Sequence, residues 1–262
     1  MKKNHVNIPI FIPELACPFQ CIFCNQKKIT GKIKQPGESE IKTIIESYLS
    51  TIQLDQTDVE IAFFGGSFTG LPLREQEKYL KMVLPYFKQG ISGIRISTRP
   101  DYIHSENLQL LKKNGVKTIE LGAQSFDDEV LKNSGRGHCA QSTMESAKII
   151  KGMGFQLGLQ MMIGLPGDNL DKALQNAQTM IYLNADFTRI YPVLVIKNTA
   201  LENLYLRKEY FPLSLSEAVS QSAELLKLFE LAGIPVIRIG LHPSEGLMNR
   251  TELIAGPFHP SF

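Results

Sequence analysis

Val59-Glu-Ile-Ala-Phe-Phe-Gly65-Gly66 reads as a buried strand that stops on two glycines, with a hydroxyl at Ser67 directly after them. A short apolar run ended by glycine is a strand entering a turn. The same unit recurs outward in both directions. Strand candidates are Asn7–Ile12, Val59–Phe64, Gly93–Thr98, Thr118–Gly122, Gln156–Ile163, Thr188–Val193 and Val236–Ile239. Helical patterns lie between them, at Glu38–Thr51, Arg74–Phe87, Ser105–Asn114, Gln141–Met153, Leu170–Leu183 and Ser214–Ala232. Ile41, Ile44, Ile45 and Leu49 share one helical face, and Asn114-Gly115 and Ala232-Gly233 are helix stops with glycine in the left-handed position. Strict alternation of strand and helix calls for a parallel sheet with right-handed crossovers. The fold class is α/β, and seven strands suit either an open doubly wound sheet or an incomplete β/α barrel. In both, the C-terminal strand ends form the functional face. Gly65-Gly66, Gly122 and Gly164-Leu-Pro-Gly167 fall at those ends.

The chain of 262 residues is long enough for one large α/β domain or two small ones. Its 28 basic and 26 acidic side chains nearly cancel, which argues against a surface given over wholly to nucleic acid. No apolar run is long enough to span a membrane. The basic, then apolar start holds two prolines and no small-residue cleavage site, so it reads as a strand and not a signal peptide. With only four cysteines, three of them clustered, the chain is no secreted disulfide scaffold, and a cytoplasmic, reducing compartment is expected. The final Gly256-Pro-Phe-His-Pro-Ser-Phe262 closes no helix or strand, so the reading expects a continuation beyond Phe262.

Cys17-Pro-Phe-Gln-Cys21-Ile-Phe-Cys24 packs three thiols into eight residues. Thiolates are soft ligands, so such a cluster points to a metal or iron–sulfur site. Three thiolates on a four-iron cluster leave one iron open to a ligand. The alternative is a structural zinc completed by His5, His138 or Cys139. Gly65 and Gly66 let backbone groups approach a ligand, although a plain strand-to-helix turn explains them as well. Ile96-Ser-Thr-Arg-Pro-Asp-Tyr102 reads on spacing as an ordinary loop; in a functional reading Ser97 and Thr98 face the cavity and Arg99 or Asp101 lines its rim. Glu120 and Gln124, at the end of an apolar strand, need partners or a ligand. Arg136 could grip a carboxylate bidentately or form a surface pair with Asp127. Gln160 is the polar candidate of its strand, and Met161 and Met162 read as core. Lys27, Lys28, Lys32 and Lys34 form a basic cluster that suits phosphates or a solvated loop.

Taken in order, these motifs resemble the radical S-adenosylmethionine enzymes. Cys17, Cys21 and Cys24 match the C-x-x-x-C-x-aromatic-C signature, with Phe23 at the aromatic position. Within that superfamily, Gly65-Gly66-Ser67-Phe68, Thr98-Arg-Pro-Asp-Tyr102, Glu120-Leu-Gly-Ala-Gln-Ser125, Arg136-Gly-His138, Gly164-Leu-Pro-Gly167 and Tyr191-Pro-Val-Leu-Val-Ile196 resemble the radical domain of the Elongator catalytic subunit. A more distant likeness is to oxygen-independent coproporphyrinogen III oxidases. The resemblance implies an incomplete six-stranded, TIM-like β/α barrel, with residues 1–262 forming one radical core domain that is C-terminally incomplete. It implies that Cys17, Cys21 and Cys24 bind three irons of a 4Fe–4S cluster and that S-adenosylmethionine chelates the fourth. Gly65 and Gly66, with Ser67 beside them, would meet the methionine ammonium, Phe23 the adenine, Gln124 the ribose or methionyl part, and Arg136 the carboxylate. Ser97 stands where relatives often carry glutamate, and Gln160 near an aspartate position of the oxidases; both are counted among the cofactor contacts. The implied activity is reductive cleavage to a 5′-deoxyadenosyl radical that abstracts hydrogen from an organic substrate. A flavodoxin or ferredoxin would be the reductant, and a tRNA base or a small molecule such as a tetrapyrrole the substrate. A non-catalytic module holding zinc or a cluster is the alternative of a different class.

Overall fold

The computed structural model describes residues 4–12, 21–25 and 35–261. Along the chain they form β1 (Asn4–Ile12), α1 (Glu38–Leu49), β2 (Thr57–Gly65), α2 (Leu73–Val83), β3 (Gly93–Thr98), α3 (Ser105–Lys113), β4 (Val116–Gln124), α4 (Asp128–Asn133) and α5 (Ala140–Gly152). There follow β5 (Gln156–Ile163), α6 (Leu170–Tyr182), β6 (Phe187–Pro192), β7 (Val195–Ile196), α7 (Ala200–Leu206), α8 (Leu215–Leu231), β8 (Val236–Ile239), α9 (Glu245–Met248) and β9 (Leu253–Ala255). One sheet of seven parallel strands runs in the order β1-β2-β3-β4-β5-β6-β8, and β7 pairs with β9 in a small antiparallel ladder. All seven expected strands are present. The resemblance implies six; β8 adds the seventh as an edge strand beside β6.

Alternation along the strands decides between the two architectures. Ile8, Ile10 and Ile12 of β1, Ile61 and Phe63 of β2, Ile94 and Ile96 of β3, and Ile119 and Leu121 of β4 are buried in one core. That core also takes Ile41 and Ile45 of α1, Leu80 of α2, Leu108 of α3, Ile150 of α5, Met180 of α6 and Phe229 of α8. The alternate residues Phe11, Phe64, Ser97, Gly122, Gln124, Gln160, Met162, Arg189 and Tyr191 are only half-buried. A doubly wound sheet would bury both faces under helices. Here the helices cover one face, and the sheet curls around the other as a half-barrel.

The lower inner wall is a closed charge network. Glu120, with no exposed surface, accepts hydrogen bonds from Arg95 Nη1 at 2.9 Å, Arg189 Nε at 2.8 Å, Arg189 Nη2 at 3.2 Å and Gln160 Nε2 at 2.9 Å. Glu60 accepts from Arg95 Nε at 2.9 Å and from Thr118 Oγ1 at 2.7 Å. One buried and one half-buried guanidinium, Arg95 and Arg189, thus face two buried carboxylates, and each guanidinium in the network has a carboxylate partner. Glu120, which on sequence needs a partner or a ligand, has partners.

The helix expected over Arg74–Phe87 stops at Val83, because Pro85 lacks the N–H that would continue it; Leu84–Gln89 tightens into a 3₁₀ turn. The short elements α4, α7, α9, β7 and β9 are too brief to carry a period. Among the described residues no helix is long and apolar enough to cross a membrane.

Candidate functional site

The described part of the cysteine loop, residues 21–25, lies beside Arg99, which follows β3, Arg136, which follows α4, and the apolar cluster that includes Met162 of β5. Cys21 is buried, Cys24 is half-buried, and the Cys24 N–H donates to Cys21 O at 2.9 Å. Ile22 N donates to Ser134 O at 3.2 Å, Leu201 N to Ile22 O at 2.8 Å, and Asn25 Nδ2 to Lys197 O at 3.4 Å. The loop is therefore tied to the α4–α5 connection on one side and to the start of α7 on the other. Phe23 packs with Met162, Val130, Leu165 and Tyr210 in a second apolar cluster. Met162, expected in the core, instead lies half-buried on the inner face, whereas Met161 is fully buried. Cys17 and the lysines at 27, 28, 32 and 34 lie outside the described residues.

Two guanidiniums converge on the Cys21 sulfur. Arg136 Nη1 donates to Sγ at 3.2 Å and Nη2 to Gly122 O at 2.6 Å. Arg99 Nη1 approaches the same sulfur at 3.9 Å, and its Nη2 donates to Arg136 O. Arg99 is gripped by Asp101, with Nε–Oδ1 and Nη2–Oδ2 both at 2.9 Å. The Asp127–Arg136 surface pair therefore does not form. Asp127 caps α4 by accepting from Val130 N and pairs with Lys172 at 3.2 Å. Arg99, an ordinary loop residue on spacing and a rim residue in the functional reading, reaches the Cys21 sulfur, a contact that only the fold brings about.

β2 ends where Gly65 takes a φ of +114° and passes directly over β1. A Cβ on Gly65 would lie 2.1 Å from Ile12 O, the carbonyl that also accepts Gly66 N–H at 3.0 Å. Beside this turn Phe64, Gly66, Ser67 and Ser97, among others, line a narrow crevice. Ser67 Oγ shares a hydrogen bond with Thr98 Oγ1 at 2.7 Å and accepts from Arg99 N at 3.2 Å, so its hydroxyl is taken up within the protein. Thr98 is buried and turned away from the cavity to meet Ser67 and Thr69, while Ser97 lies on the half-buried inner row. Gln124 sits at a bulge with φ 67°, a strained setting for a residue with a side chain. Ser97 Oγ and Gln124 Oε1 are both buried without a hydrogen-bond partner. Gln160 commits its amide nitrogen to Glu120.

The Gly164-Leu-Pro-Gly167 turn is held by Asp168, which accepts from Gly164 N at 2.9 Å, and by Tyr210, whose hydroxyl donates to Gly164 O at 2.7 Å. Burial pushes the Asp168 carboxyl up to about 6. Burial, then the nearby Arg136 charge, pushes His138 down to about 4, so its ring is neutral at pH 7.

The zinc alternatives separate by position. His5 lies at the far end of β1, hydrogen-bonded to Asp58 and Asn7. Cys139 is exposed at the start of α5, 3.2 Å from Ser142 Oγ, and that hydroxyl holds its thiol below the ordinary range. Cys139→Ala should leave iron and zinc content per chain at the wild-type value, because Cys139 shares no contact with Cys21 or Cys24 among the described residues; loss of metal would make it a ligand.

Chemically, the site combines soft thiol donors, a buried positive charge aimed at one of them, two orphaned oxygen acceptors and a glycine turn open to close approach. Those features fit a negatively charged metal–sulfur cluster with a polar ligand beside it.

The family described as the radical SAM superfamily matches residues 12–180, and that described as the Radical_SAM C-terminal domain matches residues 185–262. The heme chaperone HemW of Bacillus subtilis is 26% identical over 259 residues, covering 97% of this chain and 66% of that protein. The tRNA uridine(34) acetyltransferase of Methanocaldococcus infernus is 28% identical over 253 residues, covering 81% of this chain and 47% of that protein. Among solved structures, the Elp3 of Methanocaldococcus infernus with its N-terminus deleted matches with a TM-score of 0.69 at 19% identity, over 98% of this chain and 60% of that one. The chain thus spans less than two thirds of the acetyltransferase and of the Elp3 structure, and about two thirds of HemW.

Proposed function

From a chain that belongs to the radical SAM superfamily, we infer an enzyme whose radical acts on a planar heteroaromatic substrate, an RNA base. The superfamily's cofactors are a 4Fe–4S cluster and S-adenosylmethionine, and its enzymes need a reductant, for which a flavodoxin or ferredoxin is the proposed donor. Bound together, the cluster and S-adenosylmethionine would supply radical chemistry able to abstract hydrogen from a substrate. Everything else falls to the chain. Cys17, Cys21 and Cys24 would hold the cluster. The convergence of Arg136 on Cys21, in a site that also holds the orphaned Gln124 and Ser97 oxygens, is the observation that carries this reading. Gln124, Ser97 and the Gly65-Gly66 backbone would orient the polar parts of S-adenosylmethionine, and Phe23 with its apolar cluster would exclude water from the adenine side. Of the two nitrogens through which Arg136 could fork a carboxylate, both Nη atoms are already donating, which leaves Nε for that contact.

For the substrate, the inner wall offers Phe11, Phe64 and Tyr191 as apolar and aromatic surface. The wall cations Arg95 and Arg189 are already matched by Glu60 and Glu120, so they are not available to several carboxylates at once. An uncharged base suits that wall, and it agrees with the likeness to a tRNA uridine acetyltransferase. A tetrapyrrole is the second reading, favoured by the likeness to HemW across 97% of the chain.

Anaerobically reconstituted protein should be brown, bleach with dithionite, and form 5′-deoxyadenosine faster with tRNA than with tetrapyrroles. Acceleration by tetrapyrroles alone would favour the second reading, and a colourless protein with one zinc per chain would end both. Cys21→Ala and Cys24→Ala, like Cys17→Ala, should reduce 5′-deoxyadenosine formation to background; wild-type turnover in any one refutes the ligand assignment.

A further inference from the structure

Arg136 and Arg99 are each about 5% exposed. Asp101 neutralises Arg99 through two parallel hydrogen bonds, but no carboxylate among the described residues pairs with Arg136. A buried cation without a counter-charge is costly. Among the described residues, the anion-forming group that Arg136 meets is the Cys21 sulfur, 3.2 Å away. The surroundings of Cys21 therefore present positive charge to its sulfur.

Arg99 is placed with more care than charge alone requires. Its backbone N–H is fixed by Ser67 Oγ, Pro100 opens the turn that follows, and Ser146 Oγ donates to Pro100 O at 2.8 Å. The Asp101 fork sets the plane of the guanidinium. Nη2 then donates to Arg136 O, which leaves Nη1 directed at Cys21 Sγ, at 3.9 Å. One arginine thus holds the other's backbone and contributes a second donor to the same sulfur.

We propose that Arg99, clamped by Asp101, is a positioning residue that sets the reduction potential of the cluster at its Cys21 corner. This rests on the cluster reading above. Hydrogen bonds and positive charge at cluster sulfurs favour the more negative, reduced state and so raise the potential. Removing the Arg99 donor should make reduction about tenfold less favourable, about 59 mV for a one-electron couple. The clamp makes a prediction that charge alone does not. Asp101→Asn deletes a negative charge near the cluster, which by itself would raise the potential; release of Arg99 lowers it.

The test is a redox titration followed by electron paramagnetic resonance on reconstituted full-length protein, before S-adenosylmethionine is added, so that no ligand contact of Arg136 enters. Iron per chain is measured alongside. The proposal expects Arg99→Gln and Asp101→Asn to keep wild-type iron and to lower the midpoint potential. An unchanged potential in Arg99→Gln at full iron content overturns it, as does a raised or unchanged potential in Asp101→Asn. If Arg99→Gln does not hold iron, Asp101→Asn decides alone; if neither holds iron, Arg99 is part of the loop's frame and the tuning role falls. Wild-type protein that takes up no iron would instead refute the cluster itself.

Discussion

Glu120→Ala should destabilise the fold by about 3–5 kcal/mol, the usual cost of leaving buried charge uncompensated. Glu120 is the acceptor shared by Arg95, Arg189 and Gln160, and it has no solvent exposure. Its removal leaves Arg189 without its carboxylate and Arg95 with Glu60 alone. Urea unfolding would measure the loss; a change below about 1 kcal/mol, the range of ordinary surface substitutions and weak pairs, would show that water reaches this wall. The pH dependence follows from the same contacts. Burial alone would push the Glu120 carboxyl up, but Arg189 and Arg95 outweigh it and hold the group below its ordinary 4.5. A depressed folded-state value contributes stability that is complete above the unfolded value and is lost as pH falls through the folded one. Wild-type stability should therefore decline below about pH 4.5, and the Glu120→Ala protein should show a smaller decline there.

Gly65→Ala should be the most damaging glycine-to-alanine change among the described residues. Gly65 is held by the register Ile12↔Gly65, and its φ of +114° is one that side chains rarely adopt. The new Cβ would meet Ile12 O at 2.1 Å, a backbone atom that cannot swing aside. A cost of roughly 3 kcal/mol is expected, at the upper end for backbone forced into a sparsely populated region. Because the ends of β1 and β2 must part to relieve the clash, S-adenosylmethionine cleavage should fall at least tenfold even in folded protein. Near-wild-type cleavage would mean that this turn lies away from the cofactor.

The seven strands were legible because each is an apolar run bounded by glycine or proline, and the choice of a half-barrel was not. That choice rests on the half-buried inner row, which needs the third dimension. The charge network had a trace in the sequence: Arg95 and Arg189 alternate with isoleucine in Gly-Ile-Arg-Ile-Ser and Thr-Arg-Ile-Tyr, a period of two that puts charge on one sheet face. Arg99 had only the rim position of the functional reading and its place in Thr98–Tyr102, since on spacing strand, arginine and proline make a commonplace loop. Its contact with Cys21 joins residues 78 positions apart, and that of Arg136 joins residues 115 apart. Ser67 was legible as part of the turn, but the hydroxyl's use by Thr98 and Arg99 was not.

The anchoring of the cysteine loop also bears on when the site can exist. Asn25 reaches a carbonyl 172 positions further along the chain, and Ile22 accepts from Leu201 at the start of α7. The thiols leave the ribosome long before those partners do, by roughly ten to thirty seconds at 5–20 residues per second. The contacts that fix Ile22 and Asn25 are therefore available only once the chain through α7 has been made and docked.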